Sequence, residues 1–186
     1  MDASECYRDP EQVVSQGDIF ETVPHIFLKD RPEHVALTMA NKRAGRLVGE
    51  FVGPEPPNCG TEIIVPSPAL VGYAVLLTHS CEVDKDKNHR VIALIRQMDR
   101  LNPDEKEAIR KNGKFACFHL PPLDGKLPES YIDFRRITTV GIGWLSITKR
   151  PAALSEAARQ KMLLSMFLFF ARLRLDHDVF SAIEAG

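Results

Sequence analysis

The sequence predicts an α+β fold: a strongly bent, mostly antiparallel sheet or small barrel, with a surface helix and a long C-terminal helix. Three observations carry that expectation. Short runs rich in β-branched residues alternate with proline, glycine and charged turns over much of the chain. Residues 102–113 hold a full set of helix start and stop signals, and a long apolar stretch follows Ser155. The 186 residues suffice for one domain with a real core. The expected organisation is a polar arm over 1–15 laid on a single globular domain over 16–186.

The first strand is expected over 16–23, where Gly17-Asp18 breaks the chain into an alternating Ile-Phe-Glu-Thr-Val pattern and Pro24 ends or bends it. Between 29 and 70, apolar runs at 35–39, 47–52 and 63–65 are cut by prolines at 54, 56, 57, 66 and 68, a pattern that fits strands separated by turns. A strand over 73–77 and another over 90–96 (Arg-Val-Ile-Ala-Leu-Ile-Arg) follow, joined by a charged turn. Asn102 as N-cap, Pro103 at the first position, Glu105 closing a capping box, and Arg110, Lys111 and Gly113 at the end define a helix over 103–112. Only Ala108 and Ile109 in it are apolar, so it belongs on the surface. Strands at 115–120 and 131–140 follow, separated by Pro121-Pro122 and a turn at Asp124-Gly125, and 144–148 is expected to continue the sheet beyond the Gly141-Ile142-Gly143 break. Ser155 caps a helix reaching about residue 175, whose middle is apolar nearly all round. Such a helix is buried on more than one side or meets a partner helix, hence an expected homodimer contact.

A formal net charge of -1 provides no global field for nucleic acid or an anionic membrane, so any such binding needs a local patch. Cys6, Cys59, Cys81 and Cys117 form no CxxC pair, and the first ten residues lack the shape of a secretory signal, so a cytoplasmic, reduced protein is expected. The apolar run at 162–171 is about half the roughly 20 residues that span a bilayer, so no membrane partner is expected.

Chemistry concentrates where the strand at 73–77 empties into Thr78, His79, Ser80, Cys81, Glu82 and Asp84. A buried strand delivering a base, hydroxyls, a thiol and carboxylates at its end is a common way to set a site on rigid support. Gly17-Asp18-Ile19, Leu77-Thr78, Val91-Ile92-Ala93-Leu94-Ile95, Ser130-Tyr131-Ile132-Asp133-Phe134-Arg135-Arg136-Ile137 and Gly143-Trp144-Leu145-Ser146 stand in an order that resembles the MazF/PemK toxin family. That resemblance covers about half the chain. It implies a bacterial, toxin-antitoxin-like SH3-like barrel, usually dimeric, with metal-independent endoribonuclease activity and no cofactor. The family's strand-end hydroxyl falls on Thr78 and its basic residue on Arg31; if Arg31-Pro32 instead leads into 35–38, the hydroxyl falls on Thr38. Roughly 40 extra residues near 29–72 form an insertion long enough to be functional.

A ribonuclease needs a base for the 2′-hydroxyl proton, a cation for the developing phosphorane charge and a hydroxyl to orient them: His79, Arg31 or Arg135, and Thr78 supply the set. The structural alternative pairs Arg135 and Arg136 with Asp133 or Glu129 on a solvated strand. A minority metal reading joins His79, Cys81, Cys117 and His119 as a zinc site, provided that the two pairs lie on neighbouring strands. Cys81 as a nucleophile activated by His79 or His89, with Glu82 or Asp84 orienting, is a third reading, set against a cysteine simply buried where strand meets turn. Gln16-Gly17-Asp18 reads as a glycine turn whose aspartate accepts backbone hydrogen bonds, with substrate contact as the alternative. The function favoured is a non-catalytic binding or regulatory module whose groove at 78–84 (Thr78, His79, Ser80, Cys81, Glu82) holds a protein or RNA partner; the endoribonuclease is the alternative.

Overall fold

The computed structural model describes residues 2–26, 34–37, 49–52, 63–64, 69–80 and 88–171. The chain divides into two compact units, one of Met1–Val23 with Val71–Gly186 and one of Pro24–Leu70. The smaller unit covers most of the 29–72 stretch. Its described strands, β3 (His34–Leu37), β4 (Gly49–Val52) and β5 (Ile63–Ile64), form an antiparallel sheet in the order β4-β3-β5, at the three places where apolar runs predicted strands.

The larger unit is built on a seven-stranded sheet in the order β1-β10-β2-β6-β7-β9-β8. Its strands are β1 (Tyr7–Arg8), β2 (Asp18–Ile26), β6 (Ala69–Leu76), β7 (His89–Gln97), β8 (Cys117–Leu120), β9 (Ser130–Gly141) and β10 (Ala152–Leu154). Helix α1 (Ala3–Cys6) precedes them, α2 (Pro103–Arg110) joins β7 to β8, α3 (Ile142–Ile147) follows β9, and α4 (Glu156–Ala171) comes last. The sheet is antiparallel and strongly bent into a curled half-barrel, as the sequence predicted. Its two edges meet: the Tyr7 hydroxyl on β1 donates to the Pro121 carbonyl just after β8 at 2.6 Å. This long-range bond satisfies a buried phenol that would otherwise be costly.

Both faces of the sheet are covered, which explains the near-continuous apolar runs in β6 and β7. Val75, Ala93, Ile95, Phe118, Ile132 and Phe134 pack with Ala158 and Met162 of α4. On the other face Phe20, Val23, Ala74, Leu76 and Ile92 gather around Val140 and Leu145 at one end, and Met98, Ile109, Cys117 and Tyr131 form a second cluster beneath α2.

Three local expectations are corrected and one, at Pro24, is narrowed. The polar arm is tied into the fold: Asp2 and Glu5 close a capping box on α1, Cys6 and Tyr7 are buried, and β1 pairs with β10. Pro24 does not end β2, which runs on to Ile26. At α2, Asn102 Oδ1 accepts from Glu105 N at 2.8 Å, but the Glu105 carboxylate accepts from Lys114 instead of closing the box. The same helix stops in a Schellman turn: Asn112 takes the left-handed conformation (φ 53°), and Gly113 N donates to the Ala108 carbonyl at 2.8 Å. Residues 142–147 are helical, not extended, because a helix buries Leu145 while leaving Ile142 and Trp144 at the surface. A short run of mixed apolar residues does not distinguish the two periods.

Helix α4 starts where expected: Ser155 Oγ accepts from Ala158 N at 3.2 Å and donates to the Glu5 carbonyl. Its Ala158, Met162 and Leu168 are buried, whereas Phe167 and Phe170 are 58% and 59% exposed. Burial is therefore confined to one side within the chain, and the expected end near residue 175 lies outside the described residues. Among the described residues no helix is long and apolar enough to cross a membrane.

Candidate anion-binding site

The end of β6 is rigid, and its hydroxyls are committed to holding it so. Thr78 Oγ1 accepts from Val91 N at 2.8 Å, while the Leu77 and Thr78 amides both approach the Val91 carbonyl, at 2.9 and 3.3 Å. Ser80 Oγ accepts from Gln16 N at 3.3 Å, and the buried Gln16 amide donates to the Leu77 carbonyl at 2.7 Å. His79 is exposed. Arg31, Thr38, Cys81, Glu82 and Asp84 lie outside the described residues, so the nucleophilic reading of Cys81 and the alternative basic and hydroxyl positions have no geometry here.

Gln16-Gly17-Asp18 has the structural role. Gly17 sits at φ 93°, where only glycine is unstrained, and its amide donates to the Leu76 carbonyl. The fully buried Asp18 carboxylate accepts from Ser15 N at 3.0 Å and pairs with Arg150 at 2.8 Å.

The zinc reading required neighbouring strands, and the sheet order denies them: β7 and β9 stand between β6, which leads to His79, and β8, which carries Cys117 and His119. His119 Nε2 instead lies 3.0 Å from Glu129, and burial pushes the Cys117 thiol up. Glu129 also receives both nitrogens of the Arg110 fork at 2.7 Å, which tethers the end of α2 to the start of β9. This fork, with His119 behind it, holds the Glu129 carboxyl down at about 2. A carboxyl depressed in the folded state stabilises fully above its unfolded value and loses that contribution as pH falls through the folded one. The Glu129→Gln variant should therefore be less stable than the natural protein by about 1 kcal/mol at neutral pH, a partly exposed pair being screened. Urea unfolding at descending pH should show the gap closing between about 4.5 and about 2.

A concentration of charge lies where β7, β9 and β8 run side by side. Pairing of β7 with β9 is regular from His89↔Gly141 to Ala93↔Ile137 and resumes at Leu94↔Asp133, so Phe134, Arg135 and Arg136 have no opposite residue on β7. A bulge of this kind bends its strand and re-aims side chains. Here it folds two arginines back onto Asp133, whose side chain is 1% exposed. Arg135 grips it with Nε at 2.7 Å and Nη2 at 3.0 Å, and adds its backbone amide at 3.1 Å. Arg96 and Arg136 stand 3.7 Å from the same carboxylate. The arginine pairing expected for a strand face is thus present with Asp133, whose carboxylate has three guanidinium groups within 3.7 Å.

Beside this cluster a cleft of about 600 Å³ opens between the sheet and α2. Glu105 and Ile109, four residues apart on one face of α2, form one wall with Leu101 just before the helix, and Lys114, Phe115 and Ala116 form another. The floor is Cys117 and Tyr131, with Arg96 and Arg135 at the side. Arg96 faces Tyr131 across the strand pair, its guanidinium 5.9 Å from the ring centre. Burial raises the Tyr131 phenol, so with Cys117 it presents a neutral floor. Of the described residues that line the cleft, Arg96, Lys114 and Arg135 are cationic and Glu105 is anionic. An anion with an apolar part is the chemistry that such a lining receives.

Sequence reasoning reached Arg135, Arg136 and Asp133, but missed Arg96, Lys114, Phe115 and Tyr131 as one site. The available signal was the pair of arginines flanking the β7 core run, because a charged residue ending a buried strand surfaces at the sheet's rim. No protein family matches this chain, and neither a characterised protein nor a solved structure does.

Proposed function

We propose that this protein is a non-catalytic binding or regulatory module, and that the cleft between α2 and the β7–β9–β8 face receives an anionic group from its ligand or partner. The observation that carries the reading is the cleft's charged lining, in which Arg96, Lys114 and Arg135 stand with Glu105 in a chain of net charge -1. Arg96 is the residue to which the ligand's charge would be committed. It meets Asp133 only at 3.7 Å, its side chain is 43% exposed, and it lines the cleft. Arginine in this position offers a planar fork suited to phosphate or carboxylate. The Thr78 hydroxyl that the ribonuclease reading needs for orientation accepts instead from the Val91 amide, which supports binding over ribonuclease chemistry.

The test is a urea-unfolding titration with inorganic phosphate at constant ionic strength. Phosphate should shift the transition upward in the natural protein, as any ligand selective for the folded state must. In Arg96→Gln the phosphate affinity read from that shift should fall roughly tenfold or more, the usual size of a charge-assisted contact. An equal response in both proteins would sink the assignment. Metal-independent cleavage of a mixed-sequence RNA that disappears in Thr78→Ala would replace it with the endoribonuclease reading.

A further inference from the structure

We infer that the cleft's ligand is a small amphipathic anion: a single phosphate or carboxylate head on a flat apolar body, seated head toward Arg96 and Lys114 and body against Phe115, Leu101 and Ile109. This rests on the anion-binding reading and narrows it. The lining is divided by chemistry. Arg96, Arg135 and Lys114 supply the cationic part, whereas Leu101, Ile109, Phe115, Ala116, Cys117 and Tyr131 supply a larger apolar part. An extended polyanion would use the cations and leave the apolar walls wet, and an uncharged body would leave the cations unanswered; only a ligand with both parts satisfies the cleft. Its volume of about 600 Å³ falls in the range of small-molecule sites. Phe115 is 39% exposed, so part of a large aromatic surface is open to water.

Glu105 gives the site an internal competitor. Its carboxylate holds Lys114 Nζ at 3.2 Å, and both side chains are 41% exposed. The Glu105 carboxylate occupies Lys114 as the head group would, and an arriving anion exchanges one partner of Lys114 for another. Removing the Glu105 charge should therefore tighten binding, the reverse of what happens at an ordinary contact residue.

Calorimetric titration with phenyl phosphate, inorganic phosphate and benzyl alcohol separates head from body. Phenyl phosphate should bind roughly tenfold or more tighter than phosphate, since the ring adds buried apolar area, and benzyl alcohol should bind weakest. Phe115→Ala should erase the preference for phenyl phosphate while leaving phosphate binding intact. Lys114→Gln should weaken phenyl phosphate severalfold and Glu105→Gln should strengthen it severalfold. Unchanged urea midpoints would show that these partly exposed substitutions leave the fold in place. Equal affinity for phenyl phosphate and phosphate would overturn the amphipathic ligand while leaving an anion site. Loss of all binding, phosphate included, would overturn the anion-binding reading itself.

Discussion

Replacing Arg150 with methionine should lower the unfolding free energy by about 3 kcal/mol, among the largest effects expected of any single substitution here. Methionine keeps most of the apolar stem but strands the Asp18 carboxylate, which is fully buried and pairs with Arg150 at 2.8 Å. The serine amide and hydroxyl at position 15 remain as donors, yet neither carries charge. Arg150 also donates to the Gln12 carbonyl at 3.1 Å and the Val13 carbonyl at 3.4 Å, so its loss frees the whole turn leading into β2. Asp18→Asn should cost less, because the orphaned guanidinium is 20% exposed and can reach water. The double variant should then be more stable than Arg150→Met alone, since no charge is left buried without a partner. Urea unfolding of the four proteins measures the cycle. A single Arg150→Met cost below about 1 kcal/mol would mean that the pair contributes little beyond its desolvation.

The second large effect is expected at Asp133. Asparagine there preserves shape but removes the charge that Arg96, Arg135 and Arg136 share, and it cannot accept both nitrogens of the Arg135 fork. A cost of about 2–3 kcal/mol follows from the lost charge-assisted bonds and from repulsion among three guanidinium groups. Because those groups are 41–56% exposed, raising the salt toward about 1 M should recover part of the loss by screening. Anion binding should move the other way and tighten severalfold, since the ligand no longer competes with Asp133. A variant that lost stability and phosphate binding together would show instead that Asp133 builds the shape of the cleft, with its charge of no consequence for the ligand.

These two aspartates show how far local sequence reaches. Gly17-Asp18 was legible as a glycine turn with a backbone-accepting aspartate because both parts of that device lie within a few residues. Its cation comes from position 150, and nothing near Asp18 announces it. Asp133 and its two following arginines were equally legible as a pairing, but Arg96 reaches the same carboxylate only through the register of β7 against β9.

What the amino-acid order determined by itself is whatever rests on periodicity and short-range hydrogen bonding: the strand runs, three of them between 34 and 64 included, the Asn102 and Ser155 caps, and the bent α+β class they add up to. Thr78 and Ser80 drew notice because reactive side chains crowd there, yet composition cannot say whether a hydroxyl faces a substrate or a backbone amide. Tertiary structure decided that they bond Val91 and Gln16, that two strands separate Cys117 and His119 from β6, and that residues 134–136 bulge. The cleft belongs wholly to this second kind. Its walls come from positions 96 to 135, and they meet only because the sheet's register and α2's tether bring them to one place.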